Sequence, residues 1–279
     1  MTSHLASTSS SVAPSPLKIL LAEDHPVNQK VALLLLKKCG YQADVVVNGK
    51  AVLEALAKCP YQVILMDVQM PEIGGIQATQ QIHQQYDSEQ WPYIIALTAS
   101  VTQGDRDDCL AAGMQAFLTK PIQVQALKAA LMAAEEHFSA IIPTGLTANP
   151  QVTLLPNNDS PLLDTTVLDG IRTLAGEAAP TILADLVEDF LADIPSNLNG
   201  IQTAIAQQDP EVLRQWGHRL RSSCANLGAA ALSDLGHQLE DHGKAGTFPD
   251  AAATTSHLQN TYGETAITLR TWVTAVRYS

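Results

Sequence analysis

Aromatic residues are scarce in this 279-residue chain, 5% against 46% hydrophobic residues in all. Its cores should therefore be built from Leu, Ile, Val and Ala rather than large rings. Cysteine is scarce too. Cys39, Cys59, Cys109 and Cys224 show neither CxxC spacing nor a dense framework, which argues against a disulfide scaffold and fits reduced thiols in a cytosol. No run of about 18 apolar residues exists to span a membrane, so none is expected as a partner. The opening MTSHLASTSSSVAPSP lacks the apolar core of a signal peptide, and residues 1–16 read as a disordered lead. Positive charge is also in short supply: 16 Lys+Arg against 28 Asp+Glu, a net −12. Residues 1–138 carry −4 (9 basic, 13 acidic) and residues 139–279 carry −8 (7 basic, 15 acidic). Neither part has a basic stripe, which excludes direct nucleic-acid binding. The expected location is cytoplasmic.

What is present alternates. Short apolar runs at Lys18–Ala22, Ala43–Val47, Val63–Met66, Tyr93–Leu97 and Ala116–Leu118 are separated by helical patterns at Pro26–Cys39, Gly49–Lys58, Gly75–Tyr86, Gly104–Ala112 and Ile122–His137. Five strand-then-helix units with hydrophobic strands predict a parallel sheet covered on both faces, over residues 17–138. Residues 139–162 mix Pro, Asn, Thr and Ser without periodicity and read as a linker. Flexible, about 24 residues would span roughly 25–30 Å root-mean-square. From residue 163 to 278 there is no strand pattern. Ala- and Leu-rich helices are expected at 165–175, 179–207, 210–227, 229–243 and 251–277, with breaks at Gly176, Asp209-Pro210, Gly228 and Phe248-Pro249, and a helical bundle follows.

In an open α/β sheet, reactive groups collect at the carboxyl ends of strands. Glu23 and Asp24 end the first run, Asp67 the third, Thr98 the fourth and Lys120 the fifth. Three carboxylates in one crevice repel unless a cation intervenes. A hard divalent ion, Mg²⁺ above all, resolves that and leaves positions open for phosphate oxygens. One carboxylate can then attack a phosphoryl donor, with an ammonium and a hydroxyl stabilising the transferred charge. The plainer reading is that strand-end acids cap the next helix, as Asp24 could ahead of Pro26.

LLAEDHPVNQ, ILMDVQMPEIGG, IIALTAS and AFLTKPI resemble, in order and spacing, the segments that define response-regulator receiver domains. The resemblance implies a flavodoxin-like, doubly wound sheet of order 2-1-3-4-5. It implies Asp67 as phosphoacceptor, and Mg²⁺ held by Glu23, Asp24, Asp67 and the Gln69 main-chain carbonyl. Thr98 would bind the phosphoryl oxygen and shift on activation, Lys120 would pair with the phosphoryl group, and Phe117 would be the aromatic switch residue. Lys120-Pro121 would be cis. His25 stands where Asn is common and reads as a surface variant.

The second half turns on one histidine. Leu213, Trp216, Gly217, Leu220, Cys224 and Leu227 recur at helical spacing as a buried stripe. His218 falls off it, with Arg221 and Ser222 one turn along. An exposed imidazole near its ordinary pKa can attack an aspartyl phosphate, and Arg221 can bind phosphoryl oxygens. Most histidines are simply solvated, and His237, His242 and His257 read that way. WGHRLRSSCANLGAAAL, however, resembles the histidine phosphotransfer (HPt) motif, in which the phospho-accepting His is followed at i+3 by Lys or Arg, then small residues and Leu-Gly. Ser222 replaces a glycine common there. The resemblance implies a four-helix bundle.

There is no GxxxxGK[ST] loop, no GxGxxG after a strand, and nothing like the ATP lid of a sensor kinase. The expectation is a phosphorelay intermediate rather than an enzyme acting on ATP, with an upstream histidine kinase and a downstream receiver as partners. Two alternatives stand beside it: the detached tail of a hybrid sensor kinase, and a non-phosphorylated scaffold using the receiver face. A dehalogenase-like phosphatase would want a second Asp where this chain has Gln69.

Overall fold

The computed structural model describes residues 17–98, 103–139 and 161–277. The 1–16 lead, most of the 139–162 linker and residue 278 lie outside the described residues. Five parallel strands, β1 (Ile19–Ala22), β2 (Ala43–Val46), β3 (Val63–Asp67), β4 (Tyr93–Thr98) and β5 (Ala116–Thr119), form one sheet of order β2-β1-β3-β4-β5. Helices α1 (Pro26–Lys38), α2 (Gly49–Lys58), α3 (Gly75–Gln85), α4 (Gln103–Ala111) and α5 (Val124–Ser139) connect and follow them. The period of two along the strands sorts the core. Leu20, Ala22, Ile64, Met66, Ile94 and Ala96 pack to one face, and Ile19, Leu21, Val63, Leu65, Ile95 and Leu97 to the other. The Lys120-Pro121 bond is cis.

The second half is helical: α6 (Thr165–Ala175), α7 (Ala179–Gln207), α8 (Pro210–Asn226), α9 (Ala230–Ala245) and α10 (Phe248–Arg277). The last four pack as a bundle with α6 laid against α7. Asp209 caps α8, its carboxylate accepting from the Glu211 and Val212 N–H groups, and Pro210 sits in the first turn, where its missing donor is no loss. The expected break at Phe248-Pro249 is instead the start of α10, for the same reason. At Gly217 a Cβ would run into the Glu240 backbone, so this glycine lets α8 and α9 approach closely beside His218.

Pro195 lies inside α7 and cannot supply the N–H that the Leu191 carbonyl would accept. The Tyr262 hydroxyl on α10 donates to that carbonyl instead, at 3.1 Å. Tyr262→Phe is accordingly expected to destabilise the chain by about 1–3 kcal/mol, the cost of a part-buried acceptor left unpaired. Chemical denaturation should register it, and an unchanged midpoint would contradict it.

The two halves meet along α1, which packs against α6, α7 and α8. One hydrophobic cluster runs from the α1 face of the sheet into the bundle, joining Val31 and Leu35 to Leu168 and Ile171. Among the described residues, no helix is long and apolar enough to cross a membrane.

Candidate functional site

The carboxyl ends of β1 and β3 deliver three acids to one point: oxygens of Glu23, Asp24 and Asp67 lie within 4.8 Å of one another. Asp67 is 2% exposed, and Gly75 behind it has no Cβ because one would strike the Asp67 carbonyl. The end of β5 adds Lys120, whose Nζ donates to Glu23 Oε2 and Asp67 Oδ2 at 2.6 Å each. Its backbone N–H donates to the Thr98 carbonyl at 2.8 Å, which ties the end of β5 to the end of β4. Phe117, partly buried on β5, lies under the Arg106 guanidinium, 4.9 Å from ring centre to Cζ. The Gln69 N–H donates to Asp67 Oδ1 at 3.1 Å.

The two buried carboxyls of this cluster differ. Burial alone would raise Glu23, but Lys120, the Asn28 amide and the His25 N–H outweigh it and hold its pKa below the ordinary value. Asp67 has fewer donors, so burial, reinforced by the charges of Glu23 and Asp24, carries it well above the ordinary value despite Lys120. Asp24 is raised by burial and by Glu23, against the pull of Arg219. Lys120 is raised, its two carboxylates overcoming burial. Three convergent carboxylates with little relief from one ammonium make a donor set suited to a hard divalent cation.

Across a cavity of about 350 Å³ from Asp24, Asp67 and Gln69 stand His218, Arg219 and Ser222 of α8. Four expectations need correction here. His218 is not exposed but 6% accessible, because the receiver half covers the side of α8 that the bundle leaves open. Arg221 does not face this cavity: its guanidinium turns to α9 and donates to Glu240 Oε2 at 3.1 Å. The guanidinium at the cavity is that of Arg219, whose Nη1 donates to Asp24 Oδ2 at 3.3 Å. His25 is likewise no surface variant. It is 1% exposed, and it rather than Asp24 caps α1, Nδ1 accepting from the Val27 N–H at 3.2 Å. His242 is not simply solvated either, its ring lying between Thr247 and Thr254.

Glu240 escaped the sequence reading altogether. It is 3% exposed, with its Oε2 3.6 Å from His218 Nδ1 and its Oε1 3.1 Å from Lys244 Nζ. Nothing in the local pattern marks it, since only the α8–α9 approach brings it to His218. Burial lowers the His218 pKa below 6.5, and Glu240 opposes that shift. The folded chain thus binds fewer protons at His218 than the unfolded one, and burial favours the uncharged imidazole. Acid below about pH 6.5 should remove stability through this group. Glu240→Gln is expected to lower the His218 pKa further, measured by NMR titration of the ring; a rise would contradict the assignment.

Residues 19–132 belong to the response regulator receiver domain family and residues 185–277 to the Hpt domain family. The chain is thus a receiver followed by an Hpt domain, a two-component phosphorelay module. It is 28% identical over 225 residues to the aerobic respiration control sensor protein ArcB of Escherichia coli K12, covering 80% of this chain and 28% of ArcB. It is 29% identical over 229 residues to the signal transduction histidine-protein kinase BarA of the same organism, covering 82% of this chain and 24% of BarA. The chain thus spans under a third of these relatives. Among solved structures it is similar to the receiver domain of the sensor histidine kinase PA1611 of Pseudomonas aeruginosa PAO1, which holds a magnesium ion in its active-site cleft. That match is 39% identical with a TM-score of 0.39, over 43% of this chain and 97% of that one.

Proposed function

We propose that this chain is a phosphorelay intermediate in which Asp67 accepts a phosphoryl group from a separate histidine kinase and exchanges it with His218, which hands it to a downstream receiver. The observation that carries this reading is that Asp67 and His218 line one cavity. In the first step a carboxylate oxygen of Asp67 attacks phosphorus, the donor's N–P bond breaks, and the electron pair leaves with the donor imidazole. Lys120 turns from the bare carboxylates to the phosphoryl oxygens, with the Thr98 hydroxyl as a second donor. In the second step a neutral ring nitrogen of His218 attacks the same phosphorus, the acyl P–O bond breaks, and Asp67 regains its carboxylate. Arg219, already beside Asp24 in the cavity, is placed to meet the moving charge.

Glu23, Asp24, Asp67 and the Gln69 carbonyl would hold Mg²⁺, which when bound supplies positive charge to the phosphoryl oxygens. Receiver and Hpt domains together imply kinases and receivers as phosphotransfer partners. The likeness to ArcB and BarA favours a second reading with the same chemistry, in which the donor is a dedicated kinase of the hybrid type. Phosphotransfer from a cognate kinase with radiolabelled ATP tests the order of transfer. Label should reach Asp67 before His218; full labelling of His218 in Asp67→Ala would overturn it.

A further inference from the structure

The contact between the two domains contains a buried polar clasp. Asn28, on the first turn of α1 and 4% exposed, spends its amide both within the receiver and across the boundary. Its Nδ2 donates to Glu23 Oε1 at 2.9 Å and to Ser222 Oγ at 3.1 Å, and its Oδ1 accepts from Asn226 Nδ2 at 2.8 Å. One turn back, His25 has committed Nδ1 to the Val27 N–H, so Nε2 carries the proton and donates to Asp193 Oδ2 at 2.8 Å. Asp193 also accepts from Asn197 and lies 3.6 Å from Arg219 Nη2. At the rim Lys30 pairs with Asp189.

Buried amides discriminate strongly, because a partner lacking the matching group leaves a desolvated donor or acceptor unpaired. The clasp also accounts for two departures noted in the sequence. Ser222, where a glycine is common, supplies the hydroxyl for Asn28. His25, where an asparagine is common, reaches across to Asp193. Both changes fall on the boundary, and they face each other's domain.

Resting on the phosphorelay reading above, we propose that His25 and Asn28 on the receiver, with Asp193, Ser222 and Asn226 on the Hpt domain, form a self-recognition surface. Through it the receiver selects the Hpt domain of its own chain. Exchange between Asp67 and His218 therefore runs within one molecule. The same docking covers His218, so a second receiver reaches it only after the clasp opens.

The test uses the full chain with radiolabelled acetyl phosphate as donor. In the wild type the first-order rate of label arriving at His218 should be unchanged over a hundredfold dilution. Mixing Asp67→Ala chains with His218→Gln chains should transfer label at least roughly tenfold more slowly, since each Hpt domain is covered by its own receiver. Asp193→Lys sets a cation against the His25 Nε2–H and the Arg219 guanidinium. It should slow the intramolecular rate roughly tenfold or more and allow labelling by a His218→Gln chain. A wild-type rate that scales with concentration, or trans transfer as fast as the wild type's own, would overturn the proposal. If acetyl phosphate leaves Asp67 unlabelled, the phosphorelay reading fails. Small-angle scattering then judges the clasp alone: a compact wild type that lengthens in Asp193→Lys supports it, and an extended wild type refutes it.

Discussion

Asp67→Asn will abolish labelling of both Asp67 and His218 by acetyl phosphate while raising the melting temperature. The loss of label follows from removing the nucleophile. The gain in stability follows from electrostatics. Asp67 is nine-tenths or more buried beside Glu23 and Asp24, and its pKa lies well above the ordinary 3.8. An acid whose folded pKa exceeds its unfolded value costs stability once the pH rises past the unfolded pKa, and the full cost is present above the folded one. Asparagine keeps an acceptor for Lys120 without the charge. The expected gain at neutral pH is about 1–2 kcal/mol, in the range seen when function opposes stability. It should be read by thermal denaturation without divalent cation. A lower melting temperature would show that Asp67 is held as a stabilising anion, and surviving label on His218 would show another entry point for phosphate.

Lys120→Met should move stability the other way. Lys120 is the buried cation hydrogen-bonded to Glu23 and Asp67, and it sits between them. Removing it leaves two buried carboxylates facing each other, at a cost of about 3–5 kcal/mol. Phosphorylation of Asp67 should fall by a factor of about 10² or more, as when an electrostatic donor to a transition state is lost. Magnesium should then stabilise the variant more than the wild type, because a cation that binds only the folded cluster adds stability as its concentration rises. Urea denaturation with and without magnesium checks this. A variant midpoint indifferent to magnesium, beside a wild-type midpoint that responds, would remove the cluster as a cation site.

Much of the first half was legible because its signals are local and repeated. The strands are largely apolar, the helices between them begin at Pro26, Gly49 and Gly75 as their patterns suggest, and chemistry at strand ends follows from parallel topology. Asp67, Glu23, Asp24, Thr98 and Lys120 could therefore be picked out together. The helices of the second half were equally legible from their periodicity and their Gly and Pro breaks. His242 was misjudged within its own stretch, its partners lying 5 and 12 residues on, but the other oversights fell on residues whose neighbours are distant in sequence. His25 is 168 residues from Asp193 and Asn28 is 194 residues from Ser222, so no window of sequence could register either pair. Arg221 was picked out by helix spacing and by its place three residues after His218 in the HPt motif. Which guanidinium meets the cavity depends on which side of α8 the receiver occupies.

By itself, then, the sequence determined two folding units, the acids and the lysine at one end of the sheet, and a histidine on a helix. Those follow from periodicity, strand polarity and residue chemistry, which act over a few residues at a time. Only the tertiary structure decided that His218 is buried, that Glu240 stands beside it, and that Asn28 and Ser222 join the two domains. Each of these is a matter of desolvation, and desolvation depends on what packs from outside the segment. The same imidazole that reads as a solvated group along its helix becomes a covered one, its charged form disfavoured, once α9 and the receiver stand beside it.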